Sequence, residues 1–282
     1  MYTMKMVASA RVKKAQSAIL SSRPFAAKLE EMLESLEWEL SQEDPELKSS
    51  WVQWFLGGEP EPDSAGLLLI SSDKGLCGGF NTNIFRLAAD WLNRNRTKKI
   101  KAFAVGKKGR DFLHRIKSPD IEIINEITGI FPKAGYVHAE MIGTSIIESY
   151  KNCGLGGLTV ICNEFKSLMA QNPTVSELLP LLPELNRSGD VDRLERYEFF
   201  FEPEKKLLFE ALVPRYIKAQ IYRMLLESQA AELAARMNAM ESASKNADEI
   251  MEELTLKLNR TRQAIITTEI AEIVSGAEAL NS

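Results

Sequence analysis

Toward its C-terminus the chain repeats apolar residues at helical spacing: Ile265, Ile266, Ile270, Ile273, Val274 and Ala277 recur at three- and four-residue spacings. No Lys or Arg follows Arg262. Chain ends are ordinarily polar and frayed, so an apolar tip on a helix needs enclosure by its own chain or by a partner's cavity. A proline-free helical pattern extends back to Arg215, giving a predicted helix from about Arg215 to Leu280 of roughly 95–100 Å. Within it Ile217, Ile221, Met224, Ser228, Ala231 and Ala235 step by four and three, the spacing of a coiled-coil seam. The small residues predict close helix-to-helix approach. The small, polar stretch from Glu241 to Glu249 predicts that the seam weakens in the middle of the rod.

Met4 to Leu40 is also helical in pattern, with Phe25, Leu29, Met32, Leu36 and Leu40 on one face, and Pro24 is expected to kink or interrupt it. Helical arms at the two ends of one chain pair most economically as an antiparallel coiled coil. Periodicity alone leaves open a plain helical hairpin that only braces the middle of the chain.

That middle alternates strand-like and helical runs. Leu67–Ile70, Ile100–Val105, Ile121–Ile127 and Leu158–Cys162 read as strands, while Ile84–Trp91, Lys107–Arg115 and Tyr136–Tyr150 read as helices. The alternation predicts an α/β domain with a largely parallel sheet. Glu59-Pro60-Glu61-Pro62 reads as a linker, and Gln171 to Asp190 as a loop or short-helix excursion. The expected organisation is an N-terminal rod helix over 1–58, an α/β domain over 66–209 and a C-terminal rod helix over 210–282.

Five motifs in register carry a family resemblance. They are Met4-Lys5-Met6-Val7-Ala8 with Lys13-Lys14-Ala15-Gln16; Ser22-Arg23-Pro24-Phe25; Ser72-Asp73-Lys74-Gly75-Leu76-Cys77-Gly78-Gly79-Phe80-Asn81; Glu227-Ser228 through Ala234-Ala235-Arg236-Met237; and the run from Asn259 to Ala279. Together they resemble the gamma subunits of F-type ATP synthases over nearly the whole chain. The resemblance implies a central rotor shaft: a long antiparallel coiled coil of N- and C-terminal helices plus a Rossmann-like α/β domain. It implies rotation inside a ring of alpha and beta subunits, an epsilon (or delta) partner on the stalk, and contact with the membrane c-ring. A chain that acts in this way is non-catalytic and sits peripherally, at the cytoplasmic face of a bacterial inner membrane or an equivalent organelle membrane. Matched position by position, a polar latch on the ring falls on Arg262, Gln263, Thr267 and Glu269, with Met4 and Lys5 on the facing helix, and the ring-contacting foot falls on Phe201 and Glu202. In this family further basic helical turns normally precede the Met-Lys-Met-Val motif, and the expectation is that the native start lies upstream of Met1.

Composition adds little. The 282 residues carry a net charge of −4, with 45% apolar and 26% charged residues, which suits a soluble protein and gives no general reason for nucleic-acid binding. No apolar run is long enough to span a bilayer, so membrane association is expected through partners only. Cys77, Cys153 and Cys162 lack metal or CxxC spacing and read as buried thiols, with a Cys153–Cys162 redox pair as the alternative.

Candidate chemistry is sparse. Gly75-Leu76-Cys77-Gly78-Gly79 matches neither a dinucleotide fingerprint nor a P-loop, and reads as a turn that lets backbone approach the rod. The two histidines, His114 and His138, lack metal-ligand spacing and read as helix-surface or packing residues. No cofactor is expected. The competing reading is a Rossmann-type enzyme with a helical dimerisation arm, which predicts saturable nucleotide binding by the isolated chain.

Overall fold

A computed structural model of the chain describes residues 2–43, 64–116, 118–153, 155–181, 202 and 204–280. Helix α1 (Tyr2–Glu43) leads into strand β1 (Ser64–Ile70), α2 (Phe80–Arg94), β2 (Lys99–Val105), α3 (Lys107–Arg115), β3 (Ile121–Ile127), α4 (Tyr136–Cys153), β4 (Leu158–Phe165), β5 (Gln171–Leu179) and α5 (Lys205–Leu280). The sheet runs β3-β2-β1-β4-β5. β1 pairs in parallel with β2 and β4, β2 in parallel with β3, and β4 antiparallel with β5.

Alternation along β1 supplies both faces of the core. Leu68 and Ile70 pack with α4, with Phe209 to Leu225 of α5, and with Leu29, Leu33 and Leu36 of α1. Leu67 and Leu69 pack with Ile84 and Ala88 of α2, with Leu226 to Ala234 of α5, and with Val12, Ala15 and Ile19 of α1. The arms are therefore antiparallel, because residues later in α1 meet residues earlier in α5. The Tyr216 hydroxyl donates to Glu30 at 3.4 Å and marks the register.

Three expectations need correction. Pro24 does not interrupt α1, which continues through it. Losing one backbone bond at a proline costs about 3 kcal/mol, and the buried side chains on either side, Ile19, Ala26 and Leu29, hold the helix together. α5 begins at Lys205 and passes through Pro214, ten residues ahead of the start expected near Arg215. The stretch read as a loop from Gln171 contains edge strand β5 instead. Its low hydrophobicity hid it, since an edge strand has one partner strand only and accommodates a proline such as Pro173. The segments 44–58 and 182–190, the Glu59–Pro62 linker and Phe201 lie outside the described residues.

Candidate functional site

Burial divides α5 into two zones. Ile217, Ile221 and Leu225 are fully buried, whereas every residue from Asp248 to Ala277 is exposed, a length of about 45 Å. The expected fading of the seam between Glu241 and Glu249 is where burial ends. Small seam residues do bring the helices together lower down: Ser228 and Ala231 are fully buried.

The exposed half is apolar on two different faces. Ile250, Met251, Leu254, Leu258 and Ile265 form a lower stripe, and Ile266, Ile270, Ile273 and Val274 an upper one, all exposed. At about 100° per residue the stripe shifts by roughly a third of a turn between Ile265 and Ile266. Asp248, Glu249, Glu252 and Glu253 lie opposite the lower stripe, Lys257, Arg260 and Arg262 follow, and Glu269 and Glu272 lie away from the upper stripe. A cylinder built in this way presents different chemistry at each height and each angle.

Arg262, Gln263, Thr267 and Glu269 all lie on this exposed half. Arg262 and Glu269 share a face, being seven residues apart. The Thr267 hydroxyl already donates to the Gln263 carbonyl at 2.8 Å, leaving its oxygen only as an acceptor. Thr255, Thr261 and Thr268 bond back in the same way. Met4 and Lys5 belong to the first turns of α1. Counting from the Glu30–Tyr216 contact, the antiparallel register brings Met4 about level with Ser242, roughly 30 Å along the helix from Arg262. Met4 and Arg262 therefore stand at different heights on the paired helices, because antiparallel helices advance in step. Glu202 is exposed just ahead of α5.

The glycine-rich turn after β1 is filled from within. The Asp73 carboxylate accepts the backbone N–H groups of Lys107 at 3.0 Å, Gly129 at 2.9 Å and Phe131 at 3.0 Å. It thereby ties the C-terminal end of β1 to the segments that follow β2 and β3, and occupies the start of α3, a position where a helix attracts an anion. Gly78 has φ +56°, and a Cβ there would lie 3.8 Å from the Ala239 Cβ of α5, so backbone does approach the rod. His114 pairs with Glu126, and His138 Nδ1 accepts the Gly135 N–H at 3.0 Å. Cys77 and Cys162 are buried free thiols, and burial pushes Cys162 up to about 12. Sequence reasoning missed Asp73 and the buried Glu232–Arg236 pair. A single acid inside a glycine turn and one i,i+4 pair on a charged rod carry no distinguishing pattern.

The ATP synthase family profile matches residues 1–280. This chain belongs to the ATP synthase family. Among curated relatives, the ATP synthase gamma chain of Elusimicrobium minutum is 46% identical over 282 residues, covering 100% of this chain and 93% of that one. The gamma chain of Desulfitobacterium hafniense is 38% identical over 277 residues, covering 98% and 92%. Among solved structures, the central stalk and c-ring of the Tetrahymena thermophila mitochondrial ATP synthase contains a chain with TM-score 0.61 and 29% identity, covering 86% of this chain and 98% of that one. A chain of the Euglena gracilis mitochondrial ATP synthase shares the fold, with TM-score 0.57 and 16% identity, covering 99% and 95%.

Proposed function

We propose that this chain is the central-stalk rotor of an F-type ATP synthase, coupling ion flow through a membrane ring to ATP synthesis or hydrolysis by turning inside a hexamer of alpha and beta subunits. The observation that carries the reading is the exposed apolar half of α5, continuous with a helix whose other half is locked into a folded domain. A shaft biases a catalytic site only if its contacts differ among that site's states. Two apolar stripes on different faces, with acidic and basic bands between them, supply that asymmetry. The nearly uncharged apolar surface at the tip makes no strong directional bond that must break at each step, which suits a bearing.

Arg262, Gln263, Thr267 and Glu269 supply the polar contacts to the ring, with Thr267 accepting rather than donating. Met4 and Lys5 act lower on the shaft, at the ring's entrance. Phe201 and Glu202 form the foot on the c-ring's polar loops, and an epsilon (or delta) subunit completes the stalk. The chain itself is non-catalytic and reaches the membrane through its partners, at the cytoplasmic face of a bacterial membrane or its organelle equivalent. No helix among the described residues is long and apolar enough to cross a bilayer.

Reconstitution tests this. The chain mixed with alpha and beta subunits should give an ATP-hydrolysing complex in which a bead fixed to the α/β domain rotates in one direction. Absence of assembly with those subunits, or saturable nucleotide binding by the chain alone, overturns the reading in favour of an enzyme with a helical arm.

A further inference from the structure

We propose that two turns of the α/β domain grip α5 from opposite sides and carry torque between domain and shaft, with Arg236 and Asn238 as the positioning residues of the grip. The inference rests on the rotor reading and extends it to a specific joint. On one side, the Arg236 guanidinium donates to the carbonyls of Gly75 at 3.2 Å and Lys74 at 3.5 Å, in the turn after β1. It is held there by Glu232, at 2.7 Å, whose side chain is buried. On the other side, the Asn238 amide donates to the Leu168 carbonyl at 2.8 Å, in the turn between β4 and β5. Residues two apart on a helix point about 200° from each other, so these contacts oppose one another across the axis.

Both gripping segments are themselves anchored. Asp73 fastens the first turn to the segments after β2 and β3, and the Asn81 amide donates to the Ser72 hydroxyl at 2.7 Å. The second turn is closed by the Ser167 and Ala170 backbone at 3.0 Å. The position in the fold is the decisive point. Ala234 is the last fully buried residue of the α5 seam, and Arg236 and Asn238 lie just above it, where burial becomes partial. An apolar seam resists separation but offers little directional resistance to twisting, because burial energy is non-directional. Off-axis hydrogen bonds from a guanidinium and an amide to fixed carbonyls do resist a tangential load. A twist applied to the free shaft therefore meets this level first, before the lower ties at Gln229 and Lys218.

The complex of this chain, alpha and beta subunits joined to the membrane ring in sealed vesicles provides the test. With Arg236→Met and Asn238→Ala combined, the ions pumped per ATP hydrolysed should fall severalfold while hydrolysis persists. Angular fluctuations of a probe on the α/β domain, with the shaft held still by a non-hydrolysable nucleotide, should broaden about twofold. Arg236→Lys should recover part of the pumping. Unchanged pumping and fluctuations in a rotating complex overturn the proposal, whereas failure of the unaltered complex to rotate overturns the rotor reading instead. A second variant ties the joint covalently, with the native fold checked by circular dichroism because Gly78 has φ +56°: Gly78→Cys with Ala239→Cys, in a Cys77→Ser background. The 3.8 Å Cβ separation suits a disulfide. If the joint turns as one body, oxidation leaves rotation intact. Arrest on oxidation, reversed by a reductant, would show that shaft and domain slip there, and the proposal would fall.

Discussion

The two halves of α5 are one continuous helix with opposite means of support. Ile221 and Leu225 in the lower half are fully buried, while Ile265 is 53% and Ile273 71% exposed in the upper half. Similar aliphatic residues at similar spacing thus do different work. The lower set already contributes to folding, and the upper set retains its burial energy for a partner. An isolated helical stretch draws little stability from propensity alone, so the upper half is the part of the molecule that completes itself only in an assembly.

The largest expected effect comes from removing the unpartnered surface. Truncation after Arg262 deletes Ile265, Ile266, Ile270, Ile273 and Val274, each carrying about 1.5–3 kcal/mol when fully buried. Assembly or torque should collapse while the thermal midpoint of the isolated chain stays where it was. Full coupled ATP synthesis by a truncated complex would remove the upper half from the mechanism.

Point substitutions sharpen the contrast in the isolated chain. Leu225→Ala should cost about 2–5 kcal/mol in denaturant unfolding, the range for a buried aliphatic cavity. Ile265→Ala should stay within about 0.5 kcal/mol, as an exposed substitution does. Equal losses at the two sites would mean that the tip is already packed without partners.

Glycine substitutions divide the regions by sign. A Cβ at Gly66 would meet Leu155 Cδ2 at 2.8 Å and the Gly157 carbonyl at 2.9 Å, so Gly66→Ala should destabilise by about 1–3 kcal/mol through overpacking. Nothing lies within 4 Å of a Cβ at Gly276, and Gly276→Ala should raise helicity, by at most about 1 kcal/mol. Circular dichroism with thermal melting of both variants distinguishes the two outcomes.

The smallest effect concerns Glu232, at the junction of the halves. Burial raises its carboxyl above the ordinary 4.5, with Arg236 opposing and Asp73 adding to the rise. The folded state therefore holds this proton more tightly than the unfolded state, and the group's contribution to stability declines as pH climbs from 4.5 through its folded value. Relative to the unaltered chain, Glu232→Gln should gain stability over that interval. Unfolding free energies that keep a constant gap between the two proteins across it would contradict the assignment.

The sequence by itself determined the elements whose signals are periodic. Heptads from Ile217 to Ala235, the apolar tip after Arg262 and the short apolar runs of β1 to β4 each state a period, and a period fixes which side of an element seeks burial. It also carried enough motif in register to identify the family. What only the tertiary structure decided were relations between distant segments. β5 became a strand because β4 offered it a hydrogen-bonding edge, and Pro24 and Pro214 stayed helical because packing on both sides outweighed a lost backbone bond. Met4 and Arg262 stand at different heights because register in an antiparallel pair is set by which side chains pack between the helices. Asp73 and the Glu232–Arg236 pair acquired their meaning from partners 34 to 162 positions away, a distance over which no local pattern speaks.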